Sequence, residues 1–295
     1  MPIHWFPGHM ATARRDIRTA MPTVDLVLEV LDARIPFSSE NPLVAEFRGA
    51  KPNIQVLNKC DLADPVTTIE WLAAIRARPG MHAIAHHRKQ VGLREAVMKL
   101  VKSSVRHDRG GPAVAMVLGI PNVGKSTLIN ALAGRAIAKA ANRPAITQIQ
   151  QRIQVGPDLI LVDTPGFLWP KLTPEEVGYR LAVTGALSDR VVDFEDLAAF
   201  AARFLLARYP DPVVACYGLD QVPSDDIALI DAIGRRLGYL AKGGVVNRAK
   251  ASHRLILDVR AACFGPISFE TPDDCQVNPD HGNGTGAANV MRTPE

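Results

Sequence analysis

The sequence predicts an α/β fold followed by an all-helical region, and three observations carry that expectation. First, short β-branched apolar runs at 24–31, 54–57, 81–85, 113–118 and 159–162 alternate with helix-like runs, the pattern of parallel strands joined by crossovers. Second, the run at 113–118 opens directly into a glycine-flanked loop, Gly119 to Thr127, and then into a helix-like run, Ser126 to Leu132. Third, beyond Lys171 the strand pattern stops. Runs at 174–187, 194–208, 227–237 and 247–260 instead show the amphipathic spacing of helices.

The loop reads Gly-Ile-Pro-Asn-Val-Gly-Lys-Ser-Thr, a glycine, four free positions and Gly-Lys-Ser. This is the P-loop pattern, in the strand and helix context that it requires. Gly119 and Gly124 let backbone N–H groups curl around phosphate oxygens, and the helix behind them aims its positive end at the same anion. Asn122, Val123, Gly124, Lys125, Ser126 and Thr127 are therefore expected to hold a nucleotide. Lys125 would reach the β- and γ-phosphates, and Ser126 would ligate Mg²⁺.

Composition bounds the rest. With 295 residues, 47% of them hydrophobic and 22% charged, the chain is a globular protein long enough for two domains, not a disordered or fibrous one. The net charge of +4 permits a polyanionic partner without demanding one. Four scattered cysteines show no metal-ligand spacing. With no run of about 20 apolar residues and no signal-like N-terminus, the expectation is a cytoplasmic protein that engages no membrane.

Taken in order, residues 3–10 place His4, Trp5, Phe6 and His9 around a Pro7-Gly8 turn, ahead of a basic helical stretch with Arg14, Arg15 and Arg18. By themselves His4 and His9 read as structural or solvated. The first strand ends in Asp32-Ala33-Arg34-Ile35-Pro36, which faces a nucleotide site if the sheet is open and doubly wound. A plain exit from strand to loop explains it equally well.

The second strand runs into Asn58-Lys59-Cys60-Asp61. Asp61 can accept from guanine N1–H and its 2-amino group. Adenine would leave that carboxylate desolvated and unpaired. Asn58 can brace the loop, and the stem of Lys59 can lie along the base. A helix is expected at 65–77, a strand at 81–85, and a helix at 93–105. The loop between the last two, His86 to Gln90, reads as solvated and offers no clear second contact to the base.

After the phosphate loop, Thr147 suits a switch that closes over Mg²⁺ and the γ-phosphate. A strand at 148–155 and another at 159–162 deliver Asp163-Thr164-Pro165-Gly166. Asp163 is expected as a water-mediated Mg²⁺ partner and the Gly166 N–H as the γ-phosphate sensor. Phe167 follows, where many GTPases carry a glutamine that orients water. Because an apolar ring can neither donate to water nor accept from it, catalysis has to come from elsewhere. The guanine-reading tetrapeptide precedes the phosphate loop, the reverse of the usual order, so the G domain is circularly permuted.

These motifs, with His4 to Met10, Asp32 to Pro36, Leu168 to Lys171, Lys242 to Gly244 and Ile267 to Phe269, resemble the YlqF/RbgA family of ribosome biogenesis GTPases up to about Glu270. The resemblance implies a circularly permuted G domain and GTP hydrolysis coupled to a late step of large (50S) ribosomal subunit assembly. It implies that His9 supplies the catalytic function missing at Phe167, and that Asn122 helps hold a K⁺ ion. Ala145 departs from the family's usual glycine before the switch threonine.

The expected organisation is a G domain over 1–172, a helical RNA-binding domain over 173–270 and a disordered tail over 271–295. In the helical part, Arg235, Arg236, Lys242, Arg248, Lys250, His253 and Arg254 form either a face for rRNA phosphates or a solvated helix surface. Two rival functions stand beside the assembly factor: a GTP-binding switch with negligible hydrolysis, and a GTPase of tRNA modification.

Overall fold

The parallel strands are short because each ends where a loop begins, and the connections between them are long enough to cross the sheet. In the computed structural model, which describes residues 8–105, 110–136 and 151–275, α1 (Gly8–Ala20) leads to β1 (Leu26–Asp32). Then come α2 (Pro36–Ser39), α3 (Pro42–Arg48), β2 (Asn53–Asn58), α4 (Pro65–Ala77), β3 (Met81–His86), α5 (Leu93–Ser104), β4 (Ala113–Leu118) and α6 (Lys125–Ala133). β5 (Gln151–Val155) and β6 (Leu159–Asp163) complete the sheet. α7 (Glu175–Val183), α8 (Phe194–Arg208), α9 (Pro210–Tyr217), α10 (Asp226–Arg236) and α11 (Arg248–Arg260) follow. The six strands lie in the order β3-β2-β1-β4-β6-β5, parallel throughout except for the β5–β6 pair.

Alternation along the strands assigns the two faces. Leu28, Val30, Ile54, Val56, Ala115, Val117 and Leu161 pack with α5, α6 and the later helices. On the opposite face, Val27, Met116, Leu118 and Val162 meet Ala13 and Ile17 of α1, Val44 of α3 and Phe167. Leu31, Leu57, Met81 and Ala83 meet Trp71 and Ile75 of α4. With strands buried on both faces, continuous apolar runs take the place of alternating ones, which is how the sequence reads.

The later helices share the first of these cores, and the chain after α11 returns to the sheet. Ile267 N donates to Leu62 O at 3.0 Å and Phe269 N to Arg34 O at 2.8 Å. The Glu270 carboxylate, fully buried, accepts from Ser38 N at 3.0 Å and pairs with Arg180 at 3.4 Å. Burial raises its pKa, opposed by Arg180. Residues 271–275 form a turn in which Thr271 N donates to Asp274 Oδ2. The remainder of the expected tail lies outside the described residues.

Three helices escape the sequence reading, α2, α3 and α9, and each begins with a proline. Pro36, Pro42 and Pro210 each stand in the first turn of their helix, where the missing N–H costs nothing. Asn41 caps α3 by accepting from Leu43 N. The run read as a helix over 174–187 stops at Val183, because Gly185 takes φ 82 and turns the chain. The start of the strand expected over 148–155 lies outside the described residues. No described helix is long and apolar enough to cross a membrane.

Candidate nucleotide-binding site

Four parallel strands end at one edge of the sheet, and each delivers a motif there. β1 ends on Asp32, β2 on Asn58, β4 just before the glycine loop and β6 on Asp163. The registers set Asp32 beside Asn58 and Val117 beside Asp163. This carboxyl edge is where open α/β sheets collect their ligands.

Asn58 Nδ2 donates to Val123 O at 2.8 Å, tying the base-reading loop to the phosphate loop. Gly124 has φ 100, and a Cβ there would collide with the same amide. Only glycine allows that approach. Lys125 opens α6 and is 8% exposed, its Nζ donating to Gly119 O at 3.0 Å and Ile120 O at 2.9 Å. Burial lowers its pKa to about 8, against the opposing charge of Asp163. An ammonium so poorly solvated is stabilised by any anion that reaches it.

The Asp163–Gly166 turn leans on the same loop. Thr164 Oγ1 donates to Val117 O at 2.7 Å, and a Cβ on Gly166 would stand 2.8 Å from Lys125 Nζ and from Pro121. Ser126 and Thr127 lie half-buried in the first turn of α6, and Asp163 is buried at the end of the strand beside β4. A hydroxyl and a carboxylate are the hard oxygen donors that Mg²⁺ accepts alongside phosphate oxygens. Thr147 lies outside the described residues.

On the base side, Asp61 is exposed, and the neighbouring Cys60 N donates to His86 O at 3.1 Å. The loop expected to be solvated differs at its first residue: His86 is fully buried, because β3 runs one residue further and pairs it with Asn58. Burial lowers its pKa. Of the two readings of Asp32 to Pro36, the one that faces the site holds. Asp32 Oδ1 accepts from Arg34 N at 3.1 Å and Arg34 Nε at 3.0 Å, and Oδ2 accepts from Arg34 Nη2 and Lys59 Nζ, both at 2.9 Å. Burial alone would raise the Asp32 pKa, but the two cations hold it well below the usual carboxylate range.

Phe167 is fully buried, stacks on Phe47 with centroids 6.2 Å apart, and has its carbonyl held by Asn41 Nδ2 at 3.0 Å. Ala13 and Ile17 share its cluster, which brings α1 against the segment that follows Gly166. His9 belongs to the first turn of α1, one and two turns ahead of those residues. Its side chain lies outside the described residues.

The amide of Asn122, in the phosphate loop with φ 57, donates to Gly185 O at 3.0 Å. Arg34 Nη2 donates to Thr184 O at 3.3 Å, and Arg260 of α11 donates to Val183 O at 3.2 Å and Ala182 O at 2.8 Å. The carbonyls of residues 182 to 185, which a helix terminus leaves in need of donors, thus join the nucleotide loops to α11.

The chain is 43% identical over 287 residues to ribosome biogenesis GTPase A of Bacillus pumilus, covering 92% of this chain and 100% of the relative. The chain belongs to the ribosome biogenesis GTPase A family. Its residues 114–201 also match the family model described as 50S ribosome-binding GTPase. Mitochondrial ribosome-associated GTPase 1 of Bos taurus is 38% identical over 90% of this chain and 88% of its own length. The crystal structure of GNP-bound YlqF from T. maritima superposes with a TM-score of 0.62 at 26% identity, covering 89% of this chain and 99% of that one. The fold is therefore the circularly permuted GTPase fold of the family, with its helices at the C-terminal end.

In this family member the cations of the helical part are largely engaged. Arg248 makes two bonds to Asp231, at 2.7 and 2.9 Å, and Arg254 pairs with Asp258 at 2.9 Å. Arg236 donates to Tyr217 O at 3.1 Å, and the His253 ring packs 4.7 Å from that of Phe194. Lys250 stands 4.5 Å over the Tyr239 ring, Arg235 is 3.9 Å from Asp231, and Lys242 is exposed on the turn that joins α10 to α11.

Proposed function

We propose that the chain binds GTP and GDP, hydrolyses GTP, and couples hydrolysis to a late step in assembly of the large ribosomal subunit in the cytoplasm. The observation that carries this is the bond from Asn58 to Val123 O, since it joins the base-reading and phosphate-holding loops into one site despite their reversed order. Family membership supplies the partner: relatives are named for ribosome biogenesis.

In this reading Asp61 reads guanine, with Asn58 and Lys59 supporting the loop. Backbone N–H groups from Asn122 to Thr127 cradle the phosphates. Lys125 leaves the Gly119 and Ile120 carbonyls for phosphate oxygens, and the Gly166 N–H meets the γ-phosphate. Ser126, Thr147 and, through water, Asp163 would hold Mg²⁺, which supplies charge neutralisation on the phosphates. The amide oxygen of Asn122 is the atom that a K⁺ ion would take. His9 accepts a hydrogen bond from the attacking water and so fills the role that Phe167 cannot. The segment 173–270 meets rRNA through Lys242, Arg235 and Lys250, while 1–172 holds the nucleotide. Ribosomal stimulation follows if the subunit sets the His9 side chain toward the nucleotide.

The buried, apolar Phe167 favours one second reading, a switch with negligible intrinsic hydrolysis. Turnover by wild type and His9→Ala, with and without large subunits, tests both. The expected outcome is unchanged GTP affinity and a loss of subunit-stimulated turnover on the order of 10². Equal stimulated turnover, with subunit binding confirmed in the same sample, overturns the role of His9. No turnover by wild type under either condition leaves the switch.

A further inference from the structure

The buried carboxylate of Asp32 closes β1 beside the base-reading loop. Its four acceptor contacts divide unequally: three go to Arg34, in its own loop, and the fourth crosses to Lys59 Nζ at 2.9 Å. Arg34 alone, nearly as buried as Asp32, suffices to neutralise one carboxylate. The second cation is therefore not needed to make the buried charge tolerable. What the contact does is fix a long, mobile side chain: Lys59 is only 25% exposed and held at its tip. It also sits at φ 60, a conformation that L residues other than glycine adopt at a cost. That conformation shapes the turn in which Leu62 N returns to Lys59 O at 2.9 Å and presents Asp61 to solvent.

From this geometry we infer that Asp32 is a positioning residue for guanine recognition: it anchors the Lys59 ammonium, so that the Lys59 stem and the Asn58–Asp61 loop stand ready for the base. The inference rests on the guanine-binding reading above. The site then has two tethers. Asn58 ties the loop to the phosphate side through Val123 O, and Lys59 ties it to the end of β1 through Asp32. Removing the second leaves a loop that must be ordered by the ligand itself, at the expense of affinity.

The test is a double-mutant cycle on GDP affinity, measured by equilibrium titration of the full chain, with Asp32→Asn, Lys59→Met and the pair together. Asp32→Asn keeps the shape and one of the two oxygens that Arg34 uses, and Lys59→Met keeps the stem but removes its charged tip. The expected result is a roughly tenfold loss for Asp32→Asn in the wild-type background and less than a twofold loss in the Lys59→Met background. A purely structural carboxylate would produce the same loss in both, and that result overturns the inference. If Asp32→Asn does not fold, Lys59→Met decides by itself, since it leaves the Asp32–Arg34 pair intact: wild-type GDP affinity in that variant overturns the inference, and a roughly tenfold loss supports it. Asp61→Asn, run alongside, separates the two levels. Retained GDP affinity there removes the guanine reading itself, whereas its loss, together with an unaffected Asp32→Asn, removes the positioning role only.

Discussion

Replacing Lys125 with methionine should erase a pH dependence that the wild-type protein carries when freed of nucleotide. In the fold the ammonium is almost wholly buried, and its pKa falls from 10.5 to about 8, chiefly through desolvation. Below pH 8 both folded and unfolded chains hold the proton, and the folded state bears the full cost of burying it. Between pH 8 and 10.5 the unfolded chain still binds a proton that the folded chain has released, so stability rises with pH across that window. At about 1.4 kcal/mol per pH unit, the rise amounts to roughly 3 kcal/mol. Methionine has no proton to exchange, so chemical denaturation of the two proteins at pH 7 to 10.5 should show wild type gaining up to that amount relative to the variant. The difference between the two pH profiles is the quantity to read, because the variant also deprives Gly119 O and Ile120 O of their donor and shifts the whole profile by a constant. Parallel profiles would refute the argument that the phosphate loop holds a desolvated ammonium. The same burial explains why phosphate should bind here: a phosphate restores to Lys125 the favourable environment that folding removed.

Three further outcomes test the rest of the site. Asn58→Ala removes the donor to Val123 O and leaves that carbonyl buried, a change worth about 1–3 kcal/mol; GDP affinity should fall about tenfold or more in calorimetric titration, and an unchanged value would mean that the two loops are held together by other contacts. Asp61→Asn should weaken GDP binding and favour xanthine nucleotides, because an amide presents a donor where guanine also presents donors; competition titrations with GDP and XDP read the shift. Neutralising Lys242, Arg235 and Lys250 together should weaken large-subunit binding and flatten its salt dependence while GDP affinity stays the same; the equivalent change at Arg248, already paired with Asp231, should flatten it less, and co-sedimentation across a salt series distinguishes the two.

The sheet and the phosphate loop were legible because their signals are local. Gly124 must be glycine for its own φ, and the strand before it must be apolar because both its faces are covered. The helix 65–77 is legible to the residue from Pro65 in its first turn, and the structure adds the Asp64 cap. What stayed ambiguous depended on neighbours distant in sequence. Asp32 to Pro36 read equally well as a bare loop, since its partner Lys59 is 27 residues away. His86 read as solvated because burial there comes from pairing with β2. The basic cluster from Arg235 stays open between a face for rRNA phosphates and a solvated helix surface, since nothing in the spacing shows that Asp231 and Asp258 take up Arg248 and Arg254. The carbonyls at 182–185 could not be foreseen at all, for they are capped from residues 34, 122 and 260.

Phe167 combines both kinds of legibility. That it cannot orient water follows from its side chain alone. That an apolar residue belongs there follows only from the fold, where it lies between Phe47 of α3 and the Ala13–Ile17 face of α1. A glutamine at this position would bury an amide among Val27, Met116, Leu118 and Val162, and left without a partner it would cost about 1–3 kcal/mol. The substitution that removes the usual catalytic residue therefore also docks the helix whose first turn contains His9. An apolar ring that cannot orient water and the packing of α1 against it are two consequences of the same buried residue.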